Sequence, residues 1–201
     1  MKFNRIVLNE ETYQLVLLDL VMEAKRLLWL VTADIKDLHI RQGRRYVPFL
    51  KILAEKISEG VEVRLIHSKE PGPRFREDFD RFPELIESDL FERVLCPRMH
   101  MKCVIADGRK AYIGSANLTG AGMGAKHRDR RNFEAGMVTN DPDVVNELMA
   151  FLDAFHLGDE LGGVLVHLLR RELHVLLGRK RDVGRVRGGG RRRGAAARVR
   201  I

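Results

Sequence analysis

The sequence predicts an α/β fold, one domain per chain. Stretches with helical apolar spacing alternate with short apolar runs of strand length, the pattern of a sheet layered with helices. One run, residues 27–33 (Leu-Leu-Trp-Leu-Val-Thr-Ala), is continuously apolar, as a strand covered on both faces must be. The 201 residues are 45% apolar and 32% charged, enough to bury one sizeable core in a soluble globular protein.

The elements follow in order. Residues 3–8 read as a first strand. Asn9-Glu10-Glu11 offers an N-cap and an acidic first turn to a helix over 10–26, with Leu15, Leu18, Val21 and Met22 at helical spacing. After the buried strand, residues 41–45 read as a basic loop. Residues 46–58 read as a second helix whose apolar face is Phe49, Leu50, Leu53, Ala54 and Ile57, ended by Gly60. A strand over 61–66 is followed by a Pro-Gly-Pro loop over 68–76, a short helix over 79–89 and a strand over 91–95. Residues 99–106 are rich in strand formers, Asp107-Gly108 is a hairpin signal, and 111–115 reads as the returning strand. A loop of small residues over 118–125 can let a ligand approach closely. A basic stretch over 126–131 and a strand over 132–139 come next. Asp141-Pro142 starts a helix to about residue 155. The domain therefore spans 1–157. An amphipathic helix within 158–177 follows, and 178–201 is an Arg/Gly-rich tail predicted to be disordered.

The chemistry gathers around residues 99–117. Alternate strand residues share a face, so Met99, Met101, Cys103 and Ile105 form one apolar face. His100 and Lys102 project together from the other. Packing has no use for an imidazole and an ammonium side by side. The hairpin return brings Ser115 and Asn117 back toward the His100 end. A nucleophilic imidazole, a cation and two neutral donors around one point suit a phosphate and its anionic transition state.

The spacing H-x-K-x4-D-x6-G-S-x-N, carried by His100, Lys102, Asp107, Gly114, Ser115 and Asn117, resembles the HKD signature of the phospholipase D superfamily. The resemblance implies a mixed β-sheet flanked by helices on both faces. It implies catalytic roles for His100, Lys102 and Asn117, with Ser115 assisting. Asp107 belongs to the same set, though as a turn residue it looks more structural than catalytic. Glu134, within residues 131–138, matches a family-like acidic position and is expected to orient and charge the His100 imidazole. The chain has one such motif and no internal repeat. By resemblance to single-motif members, small bacterial nucleases and mitochondrial-surface phospholipase D-like proteins, the site should form across a two-fold homodimer. One His100 would attack phosphorus to give a phosphohistidine; the other would protonate the leaving oxygen and then activate water. No metal and no cofactor is implied.

Charge bears on the substrate. Of the net +8, residues 178–201 carry +9, from ten Lys/Arg and one acid, leaving −1 for the remainder. The tail therefore suits a polyanion: DNA, RNA or anionic lipid. Lys126, Arg128, Arg130 and Arg131 are a second basic group, beside the site, and are candidate substrate-binding residues. Two function classes follow. One is a nuclease acting on nucleic-acid phosphodiesters; the other is a phospholipase D or phosphatidyl transferase. A binding module that merely kept the motif is disfavoured by its intact catalytic positions. Cys96 and Cys103 make no disulfide framework and predict a reducing compartment, the cytoplasm. Zinc on Cys96, His100, Cys103 and His127 is opposed by the opposite strand faces of His100 and Cys103. The apolar run over 15–31 is broken by Asp19, Glu23, Lys25 and Arg26, so no transmembrane segment is expected.

Overall fold

Seven strands make the central sheet of the computed structural model, which describes residues 1–70 and 72–156. In spatial order they are β1 (Asn4–Leu8), β11 (Ala135–Thr139), β9 (Lys110–Gly114), β8 (Cys103–Ala106), β2 (Leu27–Thr32), β6 (Glu62–His67) and β7 (Phe91–Leu95). β2, β6 and β7 run parallel to one another, and the other pairings are antiparallel. The sheet is mixed, as expected.

Alternation along the strands builds two cores. Leu28 and Leu30 of β2, Val63 and Leu65 of β6, and Val104 of β8 face a helical segment, Tyr13–Val21, and the helix α1 (Phe49–Ser58). Trp29, Val31, Ile66, Cys103 and Ile105 face the other way, against Val145 and Leu152 of α4 (Pro142–His156). Helices thus cover both faces, and β2 reads as unbroken apolar sequence because neither of its faces meets water.

Several expectations are corrected. The segment Tyr13–Val21 is π-helical, with Met22 N–H bonded to the Leu17 carbonyl at 3.2 Å. Its buried residues are Val16, Leu17, Leu20 and Val21, while Leu15 and Leu18 are only half-buried. It stops well before residue 26 because the amides of Lys25, Arg26 and Leu27 are drawn to Asp107. Asn9 is no N-cap. It has a φ of +49°, and its side-chain oxygen accepts the Glu134 amide at 3.0 Å. The basic loop is a hairpin of β4 (His39–Gln42) and β5 (Arg45–Pro48), turning at Gly43. Four charged or amide side chains masked the Ile40–Val47 pair that makes it a hairpin. The Pro-Gly-Pro loop contains α2 (Pro73–Phe79), with proline in its first turn, and the helix expected over 79–89 reduces to α3 (Glu84–Glu87). The strand expected over 99–106 is ladder-bonded only from Cys103. The alternation still holds upstream, with Met99 buried and His100 exposed. Two two-residue strands, β3 (Ile35–Lys36) and β10 (Leu118–Thr119), pair beyond the end of β2. The expectations for residues 158–177 and 178–201 lie outside the described residues. Among the described residues no helix is long and apolar enough to cross a membrane.

Candidate active site

His100, Lys102, Ser115, Asn117 and Glu134 sit around the end of the sheet where β8 begins and β9 ends. The His100 loop is pinned on both sides. Met99 donates to the Cys96 carbonyl at 2.8 Å and buries its side chain, and Gly114 N–H donates to the Lys102 carbonyl at 3.1 Å. Lys102 is 8% exposed. Its Nζ donates to the His100 carbonyl at 2.8 Å and lies 3.3 Å from Nε2 and 3.4 Å from Nδ1 of the exposed ring. Among the described residues no carboxylate pairs with this ammonium. A desolvated cation without an anion is costly, so the position is set up for an anionic ligand.

Asn117 supplies a second donor. The amides of Ala33 and Asp34 both donate to its Oδ1 at 3.2 Å, and the Thr32 hydroxyl lies at the same distance. Two backbone N–H groups fix the carboxamide's orientation and leave Nδ2 without a partner among the described residues. Thr32 also accepts the Leu118 amide at 3.1 Å, tying the end of β2 to the turn that carries Asn117.

Ser115 and Glu134 form a unit. The Ser115 hydroxyl donates to Glu134 Oε2 and accepts Ala135 N–H at 3.1 Å. Asn132 Nδ2 donates to Glu134 Oε1 at 3.0 Å. The carboxylate is 9% exposed, and its backbone is held on both sides by Asn9. The expected bond from Glu134 to His100 is therefore absent within the chain: both carboxylate oxygens are engaged by Ser115 and Asn132. The Ser115 proton is likewise committed to Glu134 rather than free for a substrate.

Asp107 lies at the opposite end of β8 from Lys102, where it and Gly108 take positive φ in the hairpin turn. Its Oδ1 accepts the amides of Lys25, Arg26 and Leu27 at 3.1, 2.7 and 3.1 Å. Burial pushes its pKa up, but the backbone donors of Leu27, Arg26 and Lys25 outweigh that and hold it below the ordinary carboxylate value. It anchors the hairpin to the start of β2 and does not reach the His100 group.

The basic loop divides. Lys126 pairs with Asp37 at 2.6 Å, and Arg131 Nε donates to the Lys126 carbonyl at 2.6 Å, so both are used in holding the loop. Arg128 and Arg130 are exposed and have no acid partner among the described residues. Cys96 and Cys103 are buried in the α4-side core, away from the exposed imidazole. A cavity of about 720 Å³ opens between β3, the start of α1 and α2, and none of the five site residues lines it.

Sequence reasoning missed Asn9, Thr32 and Asn132, each of which holds a site residue. Asn132 stands two positions before Glu134, a weak signal. Asn9 and Thr32 act across long sequence separations and leave no local signature.

The model of the family described as "Cardiolipin synthase, PLD-like domain" matches residues 17–155, which contain the whole H-x-K to Asn117 pattern. No protein with a curated description matches the sequence. Among solved structures, NucT from Helicobacter pylori is similar over 76% of this chain and 94% of its own, with a TM-score of 0.57 and 15% identity. Nuc from Salmonella typhimurium, a phospholipase D family member, is similar over 76% and 93%, with a TM-score of 0.56 and 17% identity. Phosphatidylserine synthase from Haemophilus influenzae is similar over 78% of this chain but 38% of its own, with a TM-score of 0.52 and 16% identity. At these identities the likeness is one of fold, and the family match covers most of the chain. The chain belongs to the phospholipase D superfamily.

Proposed function

We propose that the protein is a metal-independent nuclease that cleaves phosphodiester bonds through a phosphohistidine. The observation that carries the reading is the buried, acid-free ammonium of Lys102 held against an exposed imidazole. A phosphodiester placed there meets a nucleophile on one side. Lys102 Nζ and Asn117 Nδ2 meet its non-bridging oxygens, where charge builds in the transition state. An imidazole nitrogen of His100 bonds to phosphorus and the leaving oxygen departs with a proton from a second imidazole. That second group then takes a proton from water as the water oxygen displaces His100. Ser115 and Glu134 act by holding each other and the Ala135 backbone beneath this point.

Among the described residues one chain brings one imidazole to the site, so in this reading the second comes from a second copy in a two-fold homodimer. What supports this is an apolar face beside the site. Phe133 (96% exposed), Ile6 (65%) and Leu8 (49%) lie with Ala135 and Met137 on one side of β1 and β11. The outer edge of β1 is blocked, because Glu11 accepts the Leu8 amide and pairs with Arg5, so the open surface is the face rather than the edge.

Nucleic acid is favoured by the exposed Arg128 and Arg130, which have no acid partner among the described residues, and by the Arg-rich tail. The cardiolipin synthase description of the family model favours the second reading, a phospholipase or phosphatidyl transferase acting on phospholipid. Incubation with labelled single-stranded DNA, RNA and phospholipid vesicles, each in EDTA, separates them. Oligonucleotide cleavage that is lost in His100→Ala is expected. Turnover of vesicles alone would transfer the reading to lipid, and cleavage abolished by EDTA and restored by a divalent ion would refute the metal-independent mechanism.

A further inference from the structure

Directly under the turn that carries Ser115 and Asn117 lies a buried tyrosine that none of the chemistry above uses. Tyr112 of β9 is fully buried. Its ring lies over two glycines that face each other on β9 and β11, Gly114 and Gly136. A Cβ at Gly114 would overlap the phenol oxygen, and one at Gly136 would overlap the ring at Cε2. The two glycines thus leave room for the ring, and the ring in turn supports the turn from beneath. Burial pushes the phenol pKa up to about 12; the Ala116 amide, which faces the oxygen, works against this shift, and the Glu134 carboxylate adds to it.

The Ala116 amide is the only donor near the hydroxyl among the described residues, and it does not reach hydrogen-bond geometry, so the oxygen is left unsatisfied. A buried polar group without a partner costs free energy, and a phenylalanine would fill the same slot without that cost. Packing alone therefore does not account for the oxygen. What the oxygen touches is the backbone at Gly114 and the approach to Ala116, the residues on either side of Ser115, with Asn117 immediately after.

We propose that Tyr112 is a positioning residue for the reaction: its phenol oxygen sets the height of the Gly114–Asn117 turn and so places the Ser115–Glu134 pair beneath the phosphate and the Asn117 donor on it. The proposal rests on the phosphodiesterase reading of the site. Shifting donors by a fraction of an ångström from the developing charge is enough to lower a rate by one to two orders of magnitude. Removing one oxygen from a buried slot that leaves it unbonded should not destabilise the fold.

Tyr112→Phe is the test, on the full chain. Three quantities are read: the melting temperature, kcat/KM on bis(p-nitrophenyl) phosphate, and the affinity for orthovanadate, a mimic of the phosphoryl transition state, by vanadium NMR. The expected result is an unchanged or higher melting temperature with kcat/KM and vanadate affinity each lower by about tenfold or more. An unchanged rate and vanadate affinity would overturn the proposal, and so would a lowered melting temperature that accounts for the lost activity. If the wild-type protein binds vanadate but does not turn over the diester, the phosphodiesterase reading fails. Tyr112 is then judged on vanadate affinity alone.

Discussion

Replacing Asp107 separates the part of the motif that builds the sheet from the part that does chemistry. In Asp107→Ala, three backbone donors, Lys25, Arg26 and Leu27, lose their shared acceptor, two at exposed positions and one half-buried. At about 0.5–1.5 kcal/mol net for each bond, discounted for exposure and for sharing one oxygen, the loss is roughly 2 kcal/mol. The left-handed φ of +56° adds about 1 kcal/mol for alanine, whereas Asn tolerates it. Asp107→Ala should therefore cost about 3 kcal/mol in urea unfolding, and Asp107→Asn, which keeps an oxygen acceptor, about 1 kcal/mol. The carboxylate's depressed pKa sets a sign as well. Its contribution is complete above the unfolded value near 4 and is lost as pH falls through the lower folded value, so Asp107→Asn should lack this acid-dependent loss. Both variants should keep wild-type kcat at temperatures where they are folded. Equal destabilisation by Ala and Asn would refute the acceptor argument; a folded Asp107→Asn protein without activity would place Asp107 in the chemistry after all.

Three other outcomes are expected. His67 is fully buried, with Nδ1–H toward the Lys69 carbonyl at 2.8 Å and Nε2 accepting from Arg93 Nε at 3.0 Å; burial first, and the Arg93 charge second, hold its pKa below 6.5. The unfolded chain then binds more protons, so stability should fall as pH drops below about 6.5, and chemical denaturation at pH 7 and 5.5 should show a smaller fall in His67→Gln. Asn117→Asp replaces the unpaired Nδ2 donor with negative charge, and kcat should fall by about 10²–10³ while the melting temperature shifts little; a rate near wild type would remove Asn117 from the site. Wild-type and His100→Ala chains unfolded and reassembled together should lose activity as the square of the wild-type fraction, leaving about a quarter at equal amounts, whereas a linear dependence would overturn the shared site.

The sequence revealed the fold where periodicity was strong and local. β2 was legible because its apolar run is continuous, and β8 with β9 because Asp107-Gly108 marks the turn between them. The face buried by the π-helical segment was not legible because residues 15–22 are apolar at every position but Asp19, so periodicity does not single out Val16, Leu17, Leu20 and Val21. The hairpin at Gly43 was hidden by its charge, since only Ile40 and Val47 point inward from a strongly basic stretch. Within the site, His100, Lys102, Ser115 and Asn117 were legible because their spacing is fixed within eighteen residues. Their supports were not: Asn117 is oriented by amides more than eighty residues away, and Glu134 by Asn9 at a separation of 125. Contacts of that range are decided by register between strands, which one sequence does not state. Glu134 itself was found, and within one chain its carboxylate is held by Ser115 and Asn132 rather than by His100.

The way the site is held also says which of its groups still needs a partner. The His100 backbone is fixed by the buried Met99 beside it, by the Lys102 Nζ bond to its own carbonyl, and by Gly114 N–H on the Lys102 carbonyl. Asn117, Ser115 and Glu134 each have every anchoring atom engaged. The His100 ring does not. Among the described residues its nitrogens face the Lys102 ammonium alone, at distances that orient it weakly, and no carboxylate reaches it. An imidazole that must attack along one line needs a hydrogen-bond acceptor on its other nitrogen to fix that line and the tautomer. The acceptor therefore lies outside the described residues; in the proposed dimer the second copy would supply it. The exposed face of Phe133, Ile6 and Leu8 begins one residue from Glu134. In the proposed two-fold dimer, docking at that face would complete the ring's orientation, and activity would then depend on association as well as on fold.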